Sequence, residues 1–134
     1  MRLAHPRTSA PPIREAQLVD TCRRDICPLF GDPAFLVIGQ RKARGAGNTP
    51  GICDVLVCYA GWVVLCEFKS PDGTGEVSRA QQIVAEWCWS NGVDTVGIES
   101  AQGFTDVLSW CRRHPREATR LPHSLVAAME TCKR

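Results

Sequence analysis

Asp54, Glu67 and Lys69 interrupt the two most hydrophobic runs of the chain, Ile52 to Tyr59 and Trp62 to Lys69. Both runs are rich in Val, Leu, Ile and Cys and read as β-strands. Side chains alternate along a strand, so Glu67 and Lys69 share a face. Only Ala60 and Gly61 separate the runs, which is the length of a tight hairpin loop. A two-residue loop pairs Tyr59 with Trp62. Carried outward, that register sets Asp54 opposite Glu67 on one face, with Cβ atoms roughly 4.5–5.5 Å apart. Facing carboxylates repel unless positive charge lies between them. A hard divalent cation answers that demand, since Mg²⁺ typically takes one or two carboxylates beside phosphate oxygens and waters. An ammonium two residues from one carboxylate can orient a water or steady charge on a phosphate. Two acids, one lysine and a metal are what phosphodiester hydrolysis needs. The bland alternative makes Asp54 a strand-end residue and Glu67 with Lys69 the solvated face of an edge strand. Apolar flanks on both sides, the Asp-opposite-Glu register and a Gly-rich basic loop ahead of Asp54 weigh against it.

The remaining elements must hold those strands. A helix is expected from about Ile13 to Cys27, ended by Pro28. Leu18, Val19, Cys22 and Ile26 share one of its faces, and Glu15 lies on that face too. Phe30 to Pro33 reads as a turn, Ala34 to Gly39 as a short strand, and Gln40 to Gly51 as a loop. Ser70 to Gly75 is a second loop. A helix fits Ser78 to Asn91, with Ser78 as N-cap and Gly92 past its end. Asp94 to Glu99 fits a strand, Gln102 to Arg113 a helix stopped by Pro115, and Pro122 to Cys132 a last helix. Residues 1–12 are expected to be a poorly ordered arm, and residues 13–134 a single domain. The order of elements defines an α/β or α+β domain around a central mixed sheet.

Gly51-Ile52-Cys53-Asp54, Glu67-Phe68-Lys69-Ser70 and Ser78-Arg79-Ala80-Gln81 together resemble the VRR-NUC (virus-type replication-repair nuclease) domain. That domain belongs to the PD-(D/E)xK nuclease superfamily. The resemblance covers roughly Glu15 to Trp110. It implies a restriction-endonuclease-like α/β core, with a mixed sheet of about four strands flanked by helices in the order αβββαβ. It also implies a DNA endonuclease dependent on Mg²⁺ or Mn²⁺. On that resemblance Asp54, Glu67 and the backbone carbonyl of Phe68 hold the metal, and Lys69 assists the nucleophile. Gln81 sits at the start of the following helix, close to the site, and Glu15 matches an acid on the family's first helix. The residue-level alternatives are a helix-dipole role for Glu15 and an exposed position for Gln81, with Gln82 as its neighbour. The family usually carries Pro before the Asp; here that position is Cys53, with Pro50 three residues earlier.

Other signals are weaker. Arg41, Lys42 and Arg44 lie in the glycine-rich loop before Asp54, where backbone and cations could approach a DNA phosphate. Arg23, Arg24 and the series Arg112, Arg113, Arg116 and Arg120 read as solvated helix faces. Cys22 with Cys27, and Cys53 with Cys58, lack zinc-knuckle spacing. His5, His114 and His123 form no catalytic arrangement. Trp87 joins Ile83, Val84 and Cys88 on a helix face and reads as core. Trp89 falls elsewhere on that helix, at an expected oligomer interface rather than on a base-stacking platform.

Bulk properties set the frame. The chain has 134 residues, 44% hydrophobic and 22% charged, which excludes disordered and low-complexity classes. Its net charge of +2 is far from that of a polycation, so if nucleic acid binds, it binds a local patch and not the whole surface. The longest apolar stretch, Val55 to Cys66, is too short for a membrane span. Without an evident secretory signal, the eight cysteines read as free thiols of a cytoplasmic protein, in a bacterium or a phage-infected cell. The functional expectation is an endonuclease selective for branched, Holliday-junction-like DNA in replication, repair or recombination. A homodimer or higher homo-oligomer with no membrane partner is expected. The competing class is a catalytically inactive nuclease-fold module for DNA binding or assembly.

Overall fold

Alternating apolar residues build the centre of the molecule. The computed structural model describes residues 14–39, 49–70, 76–117 and 124. Four strands, β1 (Ala34–Val37), β2 (Val55–Tyr59), β3 (Trp62–Phe68) and β4 (Asp94–Ile98), form one sheet in the order β1-β2-β3-β4. The β1–β2 and β2–β3 pairs are antiparallel and β3–β4 is parallel. The sheet is therefore mixed, with helix α2 (Arg79–Ser90) as the crossover a parallel pair requires. Tyr59 pairs with Trp62 and Val55 with Cys66, the register expected from a two-residue loop. The turn twists as a hairpin requires because Ala60 and Gly61 both take positive φ, 51° and 84°.

Val55, Val57, Val64, Cys66, Phe68 and Ile98 turn one face of the sheet into the core. Helix α1 (Glu15–Thr21) and helix α3 (Ala101–Arg113) close that face with Leu18, Phe104, Leu108 and Cys111. Phe68, Phe104, Ile98 and Leu108 are fully buried there. Strand alternation sends Leu65 and Glu67 to the opposite face, and α2 packs against β4. The result is an α/β fold with its sheet between helices.

The first helix departs from expectation. It does not run unbroken to Pro28. Its α-helical part ends at Thr21, a π-helical turn follows over Cys22–Ile26, and a 3₁₀ turn spans Cys27–Phe30. Pro28 falls in the first turn of that last piece, where its missing N–H costs little. Strand β2 also begins at Val55, later than Ile52: a turn ends at Gly51 and the chain bends at Asp54 before the strand. Trp87 is corrected outright: it is 61% exposed, not core, and Trp89 is 74% exposed. The inward side of α2 carries Gln81, Val84 and Ala85, which leaves Trp87 facing away.

Four expectations lie outside the described residues: the arm at 1–12, the loop cations Arg41, Lys42 and Arg44, most of the loop at 70–75, and the helix at 122–132. Among the described residues no helix is long and apolar enough to cross a membrane.

Candidate active site

The hairpin register fixes where the acids go. Asp54 stands one residue before β2 and Glu67 one residue before the end of β3. The Phe68 N–H donates to Asp54 Oδ2 at 2.9 Å, so the strands still grip each other beyond the last ladder pair. The Asp54 carbonyl accepts from the N–H groups of Ile38 and Gly39 at 2.9 and 3.1 Å, which pins the residue from the β1 side. The Lys69 N–H donates to the Ile98 carbonyl on β4. Across that trans peptide the Phe68 carbonyl points away from β4.

Helix α2 brings the next group. Ser78 caps it, with Ser78 Oγ accepting from the Gln81 N–H at 3.1 Å. The Gln81 side chain completes the box, its Oε1 accepting from the Ser78 N–H at 2.9 Å. The same amide serves the site. Gln81 Nε2 donates to Glu67 Oε1 at 2.5 Å, and Lys69 Nζ donates to Gln81 Oε1 at 3.1 Å. Lys69 Nζ also donates to the Glu76 carbonyl at 3.1 Å and stands 3.6 Å from Glu67 Oε1. Gln81 thus spaces the ammonium from the carboxylate and orients both. Gln82 is exposed. Gly51 permits the approach: its φ is +84°, and an added Cβ would stand 2.3 Å from the Ala80 carbonyl carbon.

Electrostatics single out Glu67. Its side chain is 14% exposed, and burial pushes its carboxyl up to about 7, with the Asp54 charge adding to the rise. Lys69 pulls the other way, and Glu15 raises it further. Glu67 Oε2 is buried with no hydrogen-bond partner. Glu15 and Asp54 line one cleft of about 460 Å³ between α1 and the β1–β2 end, together with Asp20, Arg23, Val37 and Gly39. Glu67, Lys69 and Gln81 line a smaller cavity of about 160 Å³ under α2, with Cys53 in its wall. Asp54 lines the first cleft only, and its charge reaches Glu67 through the Coulombic coupling that raises the Glu67 carboxyl.

The residues present fit Mg²⁺ or Mn²⁺. An orphaned buried carboxylate oxygen electrostatically coupled to a second carboxylate is a hard-oxygen donor set short of positive charge. Among the described residues no group of three or more His, Cys, Asp or Glu side chains is disposed to hold a metal ion. A Mg²⁺ ion that keeps several waters needs only one or two carboxylates, fewer than such a group.

The cysteines do other work. Among the described residues seven are free, and Cys22, Cys27, Cys53, Cys66 and Cys111 are buried. Burial is the main cause that pushes the Cys22 and Cys66 thiols up to about 12 and Cys53 to about 11, so they act as small hydrophobes. Trp62 and Trp110 meet edge to face at 5.1 Å, and Trp62 Nε1 donates to the His114 carbonyl at 2.7 Å. Those two rings pin the end of α3 to the hairpin, away from the carboxylates.

Sequence reasoning missed the Glu76 carbonyl as a lysine anchor and the contact of Gly51 with α2. The capping pattern Ser-x-x-Gln was the available signal for the second, because it marks where α2 starts. No family model matches the chain, and no match is found among curated proteins or among solved structures.

Proposed function

We propose that this chain is a divalent-metal-dependent DNA endonuclease of the VRR-NUC type, built on a restriction-endonuclease-like core. The observation that carries the reading is the unpartnered Glu67 Oε2, buried beside Asp54 and within a network that also holds a lysine ammonium. Asp54, Glu67 and the Phe68 carbonyl are the ligands. Mg²⁺ or Mn²⁺ bound there supplies Lewis acidity and acidifies an attacking water. The chain's own residues do the rest. Gln81 holds Glu67 Oε1, which leaves Oε2 for the cation. Lys69 presents its ammonium beside Glu67, where it orients the nucleophile and offsets charge building on the phosphate. Glu15 adds negative potential from the α1 side of the cleft. The arrangement hydrolyses a phosphodiester by in-line attack of water.

The chain is small, so one copy covers few base pairs. A two-fold dimer offers two sites to two strands, which suits branched DNA met in replication, repair or recombination. That selectivity rests on the VRR-NUC resemblance. The test is cleavage of labelled duplex, single-stranded and four-way-junction DNA with Mg²⁺, with Mn²⁺ and with EDTA. Lys69→Ala serves as the chemical control. The expected outcome is metal-dependent cutting, strongest on the junction and reduced at least about 100-fold in Lys69→Ala. Uncut DNA in every lane, with the protein folded, points instead to a nuclease-fold module that binds or assembles without turnover.

A further inference from the structure

We propose that Arg23 is a phosphate-positioning residue of this site, contacting DNA backbone that flanks the scissile phosphate. The inference rests on the nuclease reading and extends it to how substrate is held. Arg23 lines the same cleft as Glu15 and Asp54. Its side chain is half exposed, so its guanidinium is within reach of a ligand entering that cleft. Asp20 holds it: Arg23 Nη2 lies 3.2 Å from Asp20 Oδ1, and Arg24 Nε reaches the same oxygen at 3.2 Å. One carboxylate oxygen shared by two guanidiniums leaves Arg23 with donors to spare, and a fork of N–H groups suits a phosphate.

The backbone gives an independent reason. The π-helical turn opens at Cys22, directly before Arg23, with the Cys27 N–H donating to the Cys22 carbonyl. Such widened turns forgo regular helical bonding and recur at functional sites. Here the widened turn carries Arg23 on the cleft wall.

Arg23 lines the cleft that holds Asp54 and not the cavity that Glu67, Lys69 and Gln81 line. That suits a phosphate neighbouring the one under attack. Arg23 therefore governs how substrate sits, not the bond-breaking step.

The experiment compares wild type, Arg23→Ala and Arg23→Lys on junction DNA carrying a single neutral methylphosphonate, moved one phosphate at a time away from the cleavage point. With ordinary DNA, Arg23→Ala is expected to raise KM roughly 5- to 20-fold with a much smaller effect on kcat. The slope of log affinity against log salt falls by about one. At one flanking position the methylphosphonate imposes that same KM penalty on wild type and adds none to Arg23→Ala. Arg23→Lys recovers part of the affinity. Thermal melting tests folding, and the exposed Arg23–Asp20 pair is too weak to move it far. Equal penalties in wild type and Arg23→Ala at every position overturn the inference while the nuclease reading stands. Failure of wild type to cut any DNA with Mg²⁺ or Mn²⁺ removes the nuclease reading, and the inference goes with it.

Discussion

Glu67 is held in a protonation state that its surroundings and its proposed task pull in opposite directions. Burial and the Asp54 charge raise its carboxyl from about 4.5 to about 7. The sign of the linkage follows. A carboxyl raised on folding favours the folded state below its unfolded value, and that advantage disappears as pH climbs through the folded value. In the metal-free protein the loss falls between about pH 4.5 and 7. Its full size is roughly 3 kcal/mol, at 1.36 kcal/mol per unit. Glu67→Gln keeps an oxygen for Gln81 Nε2 and removes the charge. In EDTA, urea melts at pH 5 should find the variant and wild type close in stability. At pH 8 Glu67→Gln should be the more stable by up to that amount. Parallel pH profiles for the two proteins would show that Glu67 is not held in this way.

At the scale of elements, the site depends on α2 meeting the segment before β2, and Gly51 is the point of contact. Gly51→Ala forces a side chain into φ +84° and drives its Cβ onto the Ala80 backbone. The backbone strain alone costs about 1–2 kcal/mol. Gly92 has a similar φ of +77° with nothing within 4 Å of its added Cβ, so Gly92→Ala carries the strain without the collision. Cleavage should fall at least about tenfold in Gly51→Ala and much less in Gly92→Ala, since displacement near an ångström costs catalysis heavily. Equal activities would mean that α2 is not positioned through Gly51. These elements were legible to different degrees. The Ala60-Gly61 loop, the register it imposes and the Ser78 cap follow from local rules, so Asp54 opposite Glu67 and the start of α2 were legible, while Gln81 was placed near the acids only by the VRR-NUC resemblance. The π-helical turn at Cys22 could not, because Arg23-Arg24-Asp25 satisfies an α-helix equally well and only packing selects the wider turn. Trp87 went wrong for a related reason. Ile83, Val84, Trp87 and Cys88 form a regular helical stripe, but Gln81 must face Glu67, and that rotates the stripe partly into solvent.

For the molecule as a whole, a core without buried charge sits on one face of the sheet and the acids cluster at one end of its central strands. Among the described residues no polar or charged residue is fully buried, so the core carries no electrostatic debt and the site carries most of it. A cation that binds only the folded chain then stabilises the entire domain, by about 2.7 kcal/mol at a hundred times its Kd. For a domain of this size that is a rise of several degrees in Tm. Binding needs Glu67 deprotonated, so the increment from Mg²⁺ or Mn²⁺ should be small at pH 5.5 and grow toward pH 8. Scanning calorimetry at matched ionic strength separates this from screening of surface charge, which Na⁺ would reproduce. Glu67→Gln should lose the increment at every pH, while Lys69→Ala, which removes a neighbouring positive charge and no ligand, should keep it. A cation response that survives Glu67→Gln would move the metal away from this pair of carboxylates. The loss of that response in Glu67→Gln alone would tie the stability of the domain to the proposed chemistry of its site.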